Sequence, residues 1–312
     1  MAINLKGRSL LTLRDFTLPE IRYLLDIAHH VKSEKKAGVV GQRFAGKTLA
    51  MLFEKRSTRT RCAFQTAFGE EAGCAVFLSM EDIQLAEKEP IEDTARVLGR
   101  MFDAIQFRGY KQQTVERLAE YSGIPVYNGL TDTYHPTQAL ADLMTFEEEF
   151  DNLQGKNLVF VGDGRNNVAN SLLIGSAKTG LNFTVVAPPE LAPDAELLDY
   201  CKREAAISGA QIRVTPQMTQ GLPGADAIYT DVWVSMGEEN KTSERLKLLT
   251  PYQVTEAALQ QSGKTSTIFL HCLPAVKGNE VVADVLEGNR SRVWDQAENR
   301  KHTIKALLIA TL

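Results

Sequence analysis

The stretch Phe53–Arg61, FEKRSTRTR, indicates how the first part of this chain folds. It follows a short apolar run, Leu49–Phe53, that is typical of a buried strand. It precedes a segment with apolar residues at helical spacing, which ends at Gly73. Ser57 or Thr58 is therefore expected to cap this helix by accepting a hydrogen bond from a backbone N–H group at the helix start.

The same stretch carries an unusual amount of positive charge. Lys55, Arg56, Arg59 and Arg61 surround the predicted helix start, where the helix dipole disfavours each cation by roughly 0.3–1 kcal/mol. A bound anion would reverse this effect, because helix-start N–H groups, hydroxyls and guanidinium groups together suit a phosphate. An ordinary serine cap with basic side chains extending into water explains the stretch equally well. The consensus of a Walker loop is absent.

Bulk composition limits the class of protein. A chain of 312 residues suggests two domains, and 44% hydrophobic with 24% charged residues is typical of a soluble globular protein. The 35 basic and 39 acidic residues give a net charge of −4, which argues against a nucleic-acid partner. The sequence shows neither a signal peptide nor an apolar run of membrane-spanning length. We therefore expect a small-molecule ligand and no membrane.

The cysteines predict neither disulfides nor a metal site. Cys62, Cys74, Cys201 and Cys272 show no CxxC pairing and no zinc-binding spacing. They fit reduced thiols in a cytoplasmic protein. We expect no metal ion and no organic cofactor.

Strands and helices alternate along the whole chain, which predicts an α/β fold with parallel sheets and right-handed crossovers. A capping box at Thr17–Glu20 begins the first helix. The best boundary is Asp151–Gly155, so we predict two doubly wound, Rossmann-like domains, 1–150 and 151–312. The last helix, at about 295–310, is expected to pack back on the first domain. The predicted strands are Leu49–Phe53, Cys74–Leu78, Ala104–Phe107, Ile124–Tyr127, Asn157–Val161, Phe183–Ala187, Gln211–Val214, Ala227–Thr230 and Thr267–Leu270.

Polar groups follow several of these strands, at the sheet edge where ligands of parallel α/β folds bind. Arg108 ends the third predicted strand, and a loop after the fourth leads to His135–Gln138 and a helix predicted over Ala139–Phe150. A lone histidine is more often structural than catalytic, but these neighbours favour a site. Gly162–Asn167 resembles a dinucleotide fingerprint only poorly, since its sixth position is Asn167. We therefore expect no NAD.

Four motifs, taken together, resemble those of the aspartate/ornithine carbamoyltransferase family in their order and spacing. The resemblance covers essentially the whole chain. The motifs are Ser57–Arg61, Arg108-Gly109, His135–Gln138 and His271–Pro274. Features typical of the ornithine branch of the family are Phe53–Lys55, Asp231–Gly237, Cys272 and Glu298–Arg300. The resemblance implies that the first domain binds carbamoyl phosphate and the second binds ornithine. The δ-amine of ornithine would attack the carbamoyl group and give citrulline and phosphate, in arginine metabolism.

The resemblance also implies a role for each matched residue. Ser57, Thr58, Arg59 and Thr60 would hold the phosphate, with Thr60 also near the carbonyl oxygen. The rest of the carbamoyl phosphate pocket would be Arg108, His135, Gln138, Cys272, Leu273 and Arg300. Asn167, Asp231, Ser235 and Met236 would bind ornithine, and the loop after Asp231 suits a mobile lid. The residues expected to take part in catalysis are Arg108, His135, Asp231 and Cys272.

Family members form trimers, so the resemblance implies a homotrimer, or a multiple of trimers, with sites at subunit interfaces. Gln84 would reach a neighbouring subunit's carbamoyl phosphate, although Ala86 stands where the family commonly has glycine. The alternatives are carbamoyl transfer to another amine, such as putrescine, and a non-catalytic anion-binding module. The Ser235–Gly237 loop and Asp231 favour an acceptor with free α-amino and α-carboxylate groups, while a binding module would have no use for Cys272.

Overall fold

The computed structural model describes residues 3–79, 89–234 and 239–312. The chain divides into two compact units. Unit 1 comprises Met1–Met144 together with Glu298–Leu312, and unit 2 comprises Thr145–Ala297. Within the described residues, no helix combines the length and the apolar character needed to cross a bilayer.

The described part of the chain contains nine strands and twelve α-helices. The strands are β1 (Thr48–Phe53), β2 (Cys74–Ser79), β3 (Ala104–Arg108), β4 (Val126–Leu130), β5 (Asn157–Val161), β6 (Asn182–Val186), β7 (Ile212–Thr215), β8 (Ala227–Thr230) and β9 (Ile268–His271). The helices are α1 (Leu18–Lys36), α2 (Thr58–Gly69), α3 (Ile91–Met101), α4 (Gln112–Ser122), α5 (Pro136–Phe150), α6 (Asn167–Thr179), α7 (Ala195–Ser208), α8 (Met218–Gly221), α9 (Thr242–Leu249), α10 (Glu256–Gln260), α11 (Ala283–Leu286) and α12 (Val293–Thr311).

The sheet of unit 1 is four-stranded and parallel, in the order β2-β1-β3-β4. Strand β1 is buried along almost its whole length because it lies inside the sheet and is covered by helices. The strand order reverses between β1 and β3, so the segments that follow these two strands lie side by side at the carboxyl edge. The predicted site residues Ser57–Thr60 follow β1, and the predicted site residue Arg108 is the last residue of β3.

The sheet of unit 2 is five-stranded and parallel, in the order β7-β6-β5-β8-β9. Its order reverses between β5 and β8, so Asn166 and Asp231, which follow these strands, share one edge with Cys272 after β9. Two parallel sheets flanked by helices confirm the predicted α/β fold class. Glu298–Leu312, the larger part of the last helix, belong to unit 1, in agreement with the prediction that this helix packs on the first domain.

Several predicted boundaries were wrong by a few residues. Strand β4 occupies Val126–Leu130 rather than Ile124–Tyr127. Pro125 has no N–H group to donate, whereas Val126 and Asn128 are hydrogen-bonded to Leu10, a contact far away in sequence. Helix α5 begins at Pro136, since proline is favoured in the first helical turn.

A cluster of charged side chains ties α12 to α1 and α2 within unit 1. Glu70, just after α2, accepts hydrogen bonds from Lys305 at 2.7 Å and Lys301 at 3.2 Å, and is paired with Lys35 at 3.0 Å. Partial burial by itself raises the pKa of Glu70, but the lysines outweigh burial and lower the pKa from 4.5 to about 2. The ionised carboxylate therefore stabilises the fold.

Replacing Glu70 with glutamine should lower the free energy of unfolding by about 1–2 kcal/mol at pH 7. The folded-state pKa lies below the unfolded one, so this stabilisation is complete above pH 4.5 and is lost as the pH falls towards 2. Urea unfolding at pH 7 and pH 3 measures the difference between Glu70→Gln and the parent. Glu120→Gln, at an exposed pair with Arg117, is the matched control. An equal effect of Glu70→Gln at both pH values would contradict the prediction.

Candidate active site

The polar residues of unit 1 meet around the hydroxyl of Thr60. Ser57 caps α2 by accepting a hydrogen bond from the backbone N–H of Thr60 at 3.2 Å, which places the Thr60 side chain in the first turn. Arg108, at the end of β3, donates from Nη1 to Thr60 Oγ1 at 3.2 Å, and Arg300, on α12, donates from Nη2 at 3.1 Å. Thr60, Arg108 and Arg300 are all buried.

Two guanidinium groups on one hydroxyl fix the direction of its proton. A threonine hydroxyl has two acceptor lone pairs and one donor hydrogen. Arg108 and Arg300 use both lone pairs, so Thr60 can only donate its own proton. Among the residues that the structure describes, no acceptor takes this proton. The Thr60 hydroxyl is therefore a polarised donor, suited to an oxygen atom of a ligand.

The amide of Gln138 is oriented by a buried carboxylate. Gln138 Nε2 donates to Asp142 Oδ1 at 2.7 Å, one turn further along α5. An ionised carboxylate only accepts, so the carbonyl end of the Gln138 amide must face the other way. There it accepts a hydrogen bond from Arg300 Nη1 at 2.9 Å. Asp142, Gln138, Arg300, Thr60 and Arg108 thus form one continuous hydrogen-bond chain.

His135 lies in the same region and is kept neutral. It is 3% exposed, and burial lowers its pKa well below the usual 6.5. The positive charges of Arg300, Arg108 and Arg59 lower the pKa further. A neutral imidazole has one N–H donor and one acceptor. His135 can therefore orient a polar ligand, but it does not supply a proton as an imidazolium near neutral pH.

Gly129 of β4 lets this arrangement pack closely. A Cβ atom at this position would lie 2.5 Å from Gln106 Nε2 and 3.0 Å from Thr60 Cγ2. A side chain would therefore force the buried Gln106 amide to move and would press on the Thr60 methyl group. Thr58 is exposed and Arg59 is half-buried at the start of α2, so both can face solvent or a ligand.

In unit 2, three donors converge on the carboxylate of Asp231. Its Oδ1 accepts from Cys272 Sγ at 3.0 Å and from the backbone N–H of Val232 at 2.8 Å. Its Oδ2 accepts from Asn166 Nδ2 at 2.8 Å. Asp231 is 8% exposed. The sequence predicted Asp231, Cys272 and Asn167, the first residue of α6, for this site. The contact of Asn166 with Asp231 was not predicted, and the role of Asn167 stays a prediction.

A buried histidine–glutamate pair supports the segment that follows β9. His271 Nε2 lies 3.3 Å from Glu280 Oε1, and both residues are fully buried. His271 Nδ1 accepts a hydrogen bond from the backbone N–H of Leu273 at 2.8 Å. Leu273 has φ of 57°, which a side-chain-bearing residue adopts only when its surroundings impose it. The pair therefore holds the backbone that presents Cys272.

Asp231, His271 and Cys272 each offer one potential metal ligand, and these atoms lie within 4.8 Å of one another. The sequence had shown no such cluster. Both ring nitrogens of His271 are already engaged, by Leu273 and Glu280, and Cys272 donates to Asp231. Hydrogen bonds thus account for the arrangement of all three groups, and the absence of a metal stays a prediction.

The structure gathers most of the predicted site residues, each within its own unit. In unit 1 it brings together Thr60, Arg108, His135, Gln138 and Arg300, with Ser57 at the cap. In unit 2 it joins Asp231 to Cys272, which precedes Leu273. Gln84, Ser235 and Met236 lie outside the described residues. Sequence reasoning missed Asp142, Asn166 and Glu280. Of these, only Asp142 could have been found, because residues four apart on a helix, such as Gln138 and Asp142, lie on the same face.

Two family models match most of the chain. The one described as "Aspartate/ornithine carbamoyltransferase, carbamoyl-P binding domain" matches residues 8–148. The one described as "Aspartate/ornithine carbamoyltransferase, Asp/Orn binding domain" matches residues 154–311. The chain therefore belongs to the aspartate/ornithine carbamoyltransferase family, which confirms the resemblance found in the sequence.

Individual relatives agree with this assignment. An ornithine carbamoyltransferase from Caldanaerobacter subterraneus subsp. tengcongensis is 67% identical over 312 residues, which is 100% of both chains. One from Thermotoga maritima is 62% identical over 312 residues, again 100% of both chains. The solved structure of ornithine carbamoyltransferase from Pyrococcus furiosus is 44% identical and has a TM-score of 0.96, covering 99% of this chain and 98% of that one.

His135 should remain neutral between pH 8 and pH 5.5, because burial and three arginines oppose its protonation. Nitrogen-15 NMR of the histidine rings measures this state, and a His135→Gln variant assigns the signal. Near pH 6.5 His135 binds a proton in the unfolded chain but stays neutral in the folded chain. His135 therefore lowers the free energy of unfolding as the pH falls. His135→Gln should therefore lose less stability than the parent between pH 7 and pH 5.5. An imidazolium signal from His135 at pH 6 would contradict the assignment.

Proposed function

We propose that this protein acts as an ornithine carbamoyltransferase. It transfers the carbamoyl group of carbamoyl phosphate to the δ-amine of L-ornithine and produces L-citrulline and phosphate. The observation that carries the proposal is the Thr60 hydroxyl, which Arg108 and Arg300 force to act as a donor beside a neutral His135. Membership of the aspartate/ornithine carbamoyltransferase family supports the reaction class.

Unit 1 supplies groups for the whole of carbamoyl phosphate. The N–H groups at the start of α2, the hydroxyls of Ser57 and Thr58, and the guanidinium of Arg59 suit the phosphate. Thr60, Arg108 and His135 are donors for the carbonyl oxygen, which becomes negative as the amine adds. Gln138 Oε1 is an acceptor for the carbamoyl NH₂ group, because Asp142 holds the amide in that orientation. Gln84, Cys272, Leu273 and Arg300 complete the proposed set.

Unit 2 supplies groups for ornithine. The Asp231 carboxylate, already held by three donors, is assigned to the α-amino group and to the orientation of the amine. Asn167, Ser235 and Met236 are assigned to the remaining α-amino and α-carboxylate contacts. The nucleophile must be a neutral amine, although a free alkyl ammonium has a pKa of about 10.4. Cys272 and Asp231 are therefore assigned to the removal of its proton.

The reaction then needs no further group. The amine lone pair forms the new C–N bond, and the C–O bond to phosphate breaks. The added nitrogen gives up one proton to the departing oxygen, so phosphate leaves as the dianion HPO₄²⁻. The arginines stabilise the negative charge that develops on the carbonyl oxygen and on the departing phosphate. Holding both reactants in attack geometry contributes further, up to about 7–11 kcal/mol in model systems.

We also propose that the protein is a cytoplasmic homotrimer of arginine metabolism, in which Gln84 reaches the site of a neighbouring subunit. Strand β2 is the edge of the unit 1 sheet and leads towards the segment that contains Gln84. Its Cys74 is exposed and its Val76 is 37% exposed, although strands of parallel sheets are usually covered on both faces. A second copy of the chain would cover this strand. Light scattering coupled to size-exclusion chromatography tests the assembly.

The acceptor is tested by citrulline formation. The purified protein should form citrulline from carbamoyl phosphate and ornithine, with phosphate released in equal amount. Putrescine and aspartate, offered at the same concentration, should give less than about a hundredth of this rate. Putrescine lacks the α-carboxylate to which Asn167, Ser235 and Met236 are assigned, and aspartate lacks a δ-amine. Carbamoylation of putrescine in preference to ornithine would favour that alternative. Phosphate binding without turnover of any amine would favour the anion-binding module.

Replacing Thr60 with valine keeps the shape of the side chain but removes the polarised donor. The loss should reduce kcat by about 10²–10³-fold, as is typical for one donor to a developing oxyanion. Thr60→Ser should retain most of the activity because it keeps the hydroxyl. Thr66→Val, in the same helix, removes a hydroxyl that donates to the Cys62 carbonyl and should change kcat less than twofold. A Thr60→Val variant with near-parental kcat would contradict the role of Thr60.

A further inference from the structure

We propose that Asn166 is a positioning residue for Asp231. Its side-chain oxygen caps α6, and its side-chain nitrogen orients the Asp231 carboxylate. This proposal rests on the proposed function, in which Asp231 receives ornithine. Asn166 itself touches no reacting atom in this scheme; it acts through the carboxylate that it holds.

The orientation of the Asn166 amide follows from its partners. Asn166 Oδ1 accepts from the backbone N–H of Val168 at 2.7 Å and from that of Ala169 at 3.3 Å. Backbone N–H groups can only donate, so the oxygen must face the helix and the NH₂ group must face away from it. On that side Nδ2 lies 2.8 Å from Asp231 Oδ2. Asn166 is 8% exposed, so water competes little for these bonds.

The hydrogen bond from Asn166 fixes the position of one oxygen atom of the Asp231 carboxylate. Cys272 and the backbone of Val232 occupy Oδ1, and Asn166 occupies Oδ2. Asn166 follows β5, Asp231 follows β8, and these two strands are neighbours at the point where the strand order reverses. Because the rigid start of α6 anchors Asn166, the carboxylate is held in one plane before any ligand arrives.

Capping alone does not require asparagine at this position. Other side chains that cap α-helices include Thr17, Ser57, Asp194 and Thr255. None of these side chains carries an NH₂ group, yet each accepts the helix N–H bond that a cap needs. At Asn166 the extra donor is directed at a buried carboxylate, where a charge-assisted bond is worth more than a neutral one.

Two substitutions separate the capping role from the positioning role. Aspartate and serine both cap helices about as well as asparagine, so both variants keep the cap of α6, and any loss of stability comes from the lost contact with Asp231. Both lack the donor, and aspartate also places a second carboxylate against Asp231. The KM for ornithine should rise about 10-fold in Asn166→Ser and about 100-fold in Asn166→Asp, as expected for a lost hydrogen bond to a charged group and for added repulsion.

The KM for carbamoyl phosphate should stay within about twofold of the parent, since its phosphate and carbonyl groups are assigned to unit 1. Asp194→Asn is the matched control: Asp194 Oδ1 caps α7 with the same two-bond pattern, at a position outside the site. Both KM values of this control should equal those of the parent. A purely structural role of Asn166 predicts instead that both KM values rise in parallel.

The outcomes distinguish this proposal from the proposed function. If the parent forms citrulline and both Asn166 variants keep the parental KM for ornithine within twofold, the positioning role is wrong while the function stands. A parallel rise of both KM values would also overturn it. Calorimetric binding of L-norvaline, which has the α-amino and α-carboxylate groups but no δ-amine, gives a second readout and should weaken in the same order. If the parent forms no citrulline, the proposed function fails, and this proposal fails with it.

Discussion

The unit 1 site depends on the shared hydroxyl of Thr60, because it is where segments distant in sequence are tied together. Arg108 comes from β3 and Arg300 from the last helix, and both donate to an oxygen in the first turn of α2. Burying a guanidinium group costs several kcal/mol unless its hydrogen bonds are satisfied, so this contact strongly restricts where the three segments can lie. Burial and the positive charge of these arginines together lower the pKa of His135. An anionic substrate would offset this positive charge.

The same constraint explains why α5 and α12 matter to the chemistry. Arg300 is fixed on one side by Thr60 and on the other by Gln138, and Asp142 fixes Gln138 in turn. One buried carboxylate thereby sets the direction of an amide and, through it, of a guanidinium group. Such a chain tolerates few substitutions, because removing one member leaves buried polar groups of its neighbours unsatisfied.

Much of this architecture could be predicted from the sequence. Apolar runs bounded by turn residues located β5 and β8 at their observed limits. The surplus of positive charge around Ser57 fitted an anion site and a solvated serine cap equally well. The limits of β4 could not be predicted, because they depend on hydrogen bonds to Leu10. Nor could the sequence reveal that Asn166 contacts Asp231, because the contact depends on which amide faces the carboxylate in the fold. Glu280 was missed since its pairing with His271 appears only once the fold buries both.

The two units use similar helix starts for opposite purposes. Each sheet places a helix at the point where its strand order reverses, with helix N–H groups directed towards the carboxyl edge. In unit 1 the start of α2 is combined with arginines and hydroxyls, a set that favours an anion. In unit 2 the Asn166 side chain takes the N–H groups of Val168 and Ala169 itself, so these donors are already used. The start of α6 therefore does not offer those N–H groups to the pyrophosphate of a dinucleotide, which gives a structural reason for the poor fingerprint at Gly162–Asn167. What α6 supplies instead is an anchored amide that holds the Asp231 carboxylate, the group that we propose binds a cationic amine.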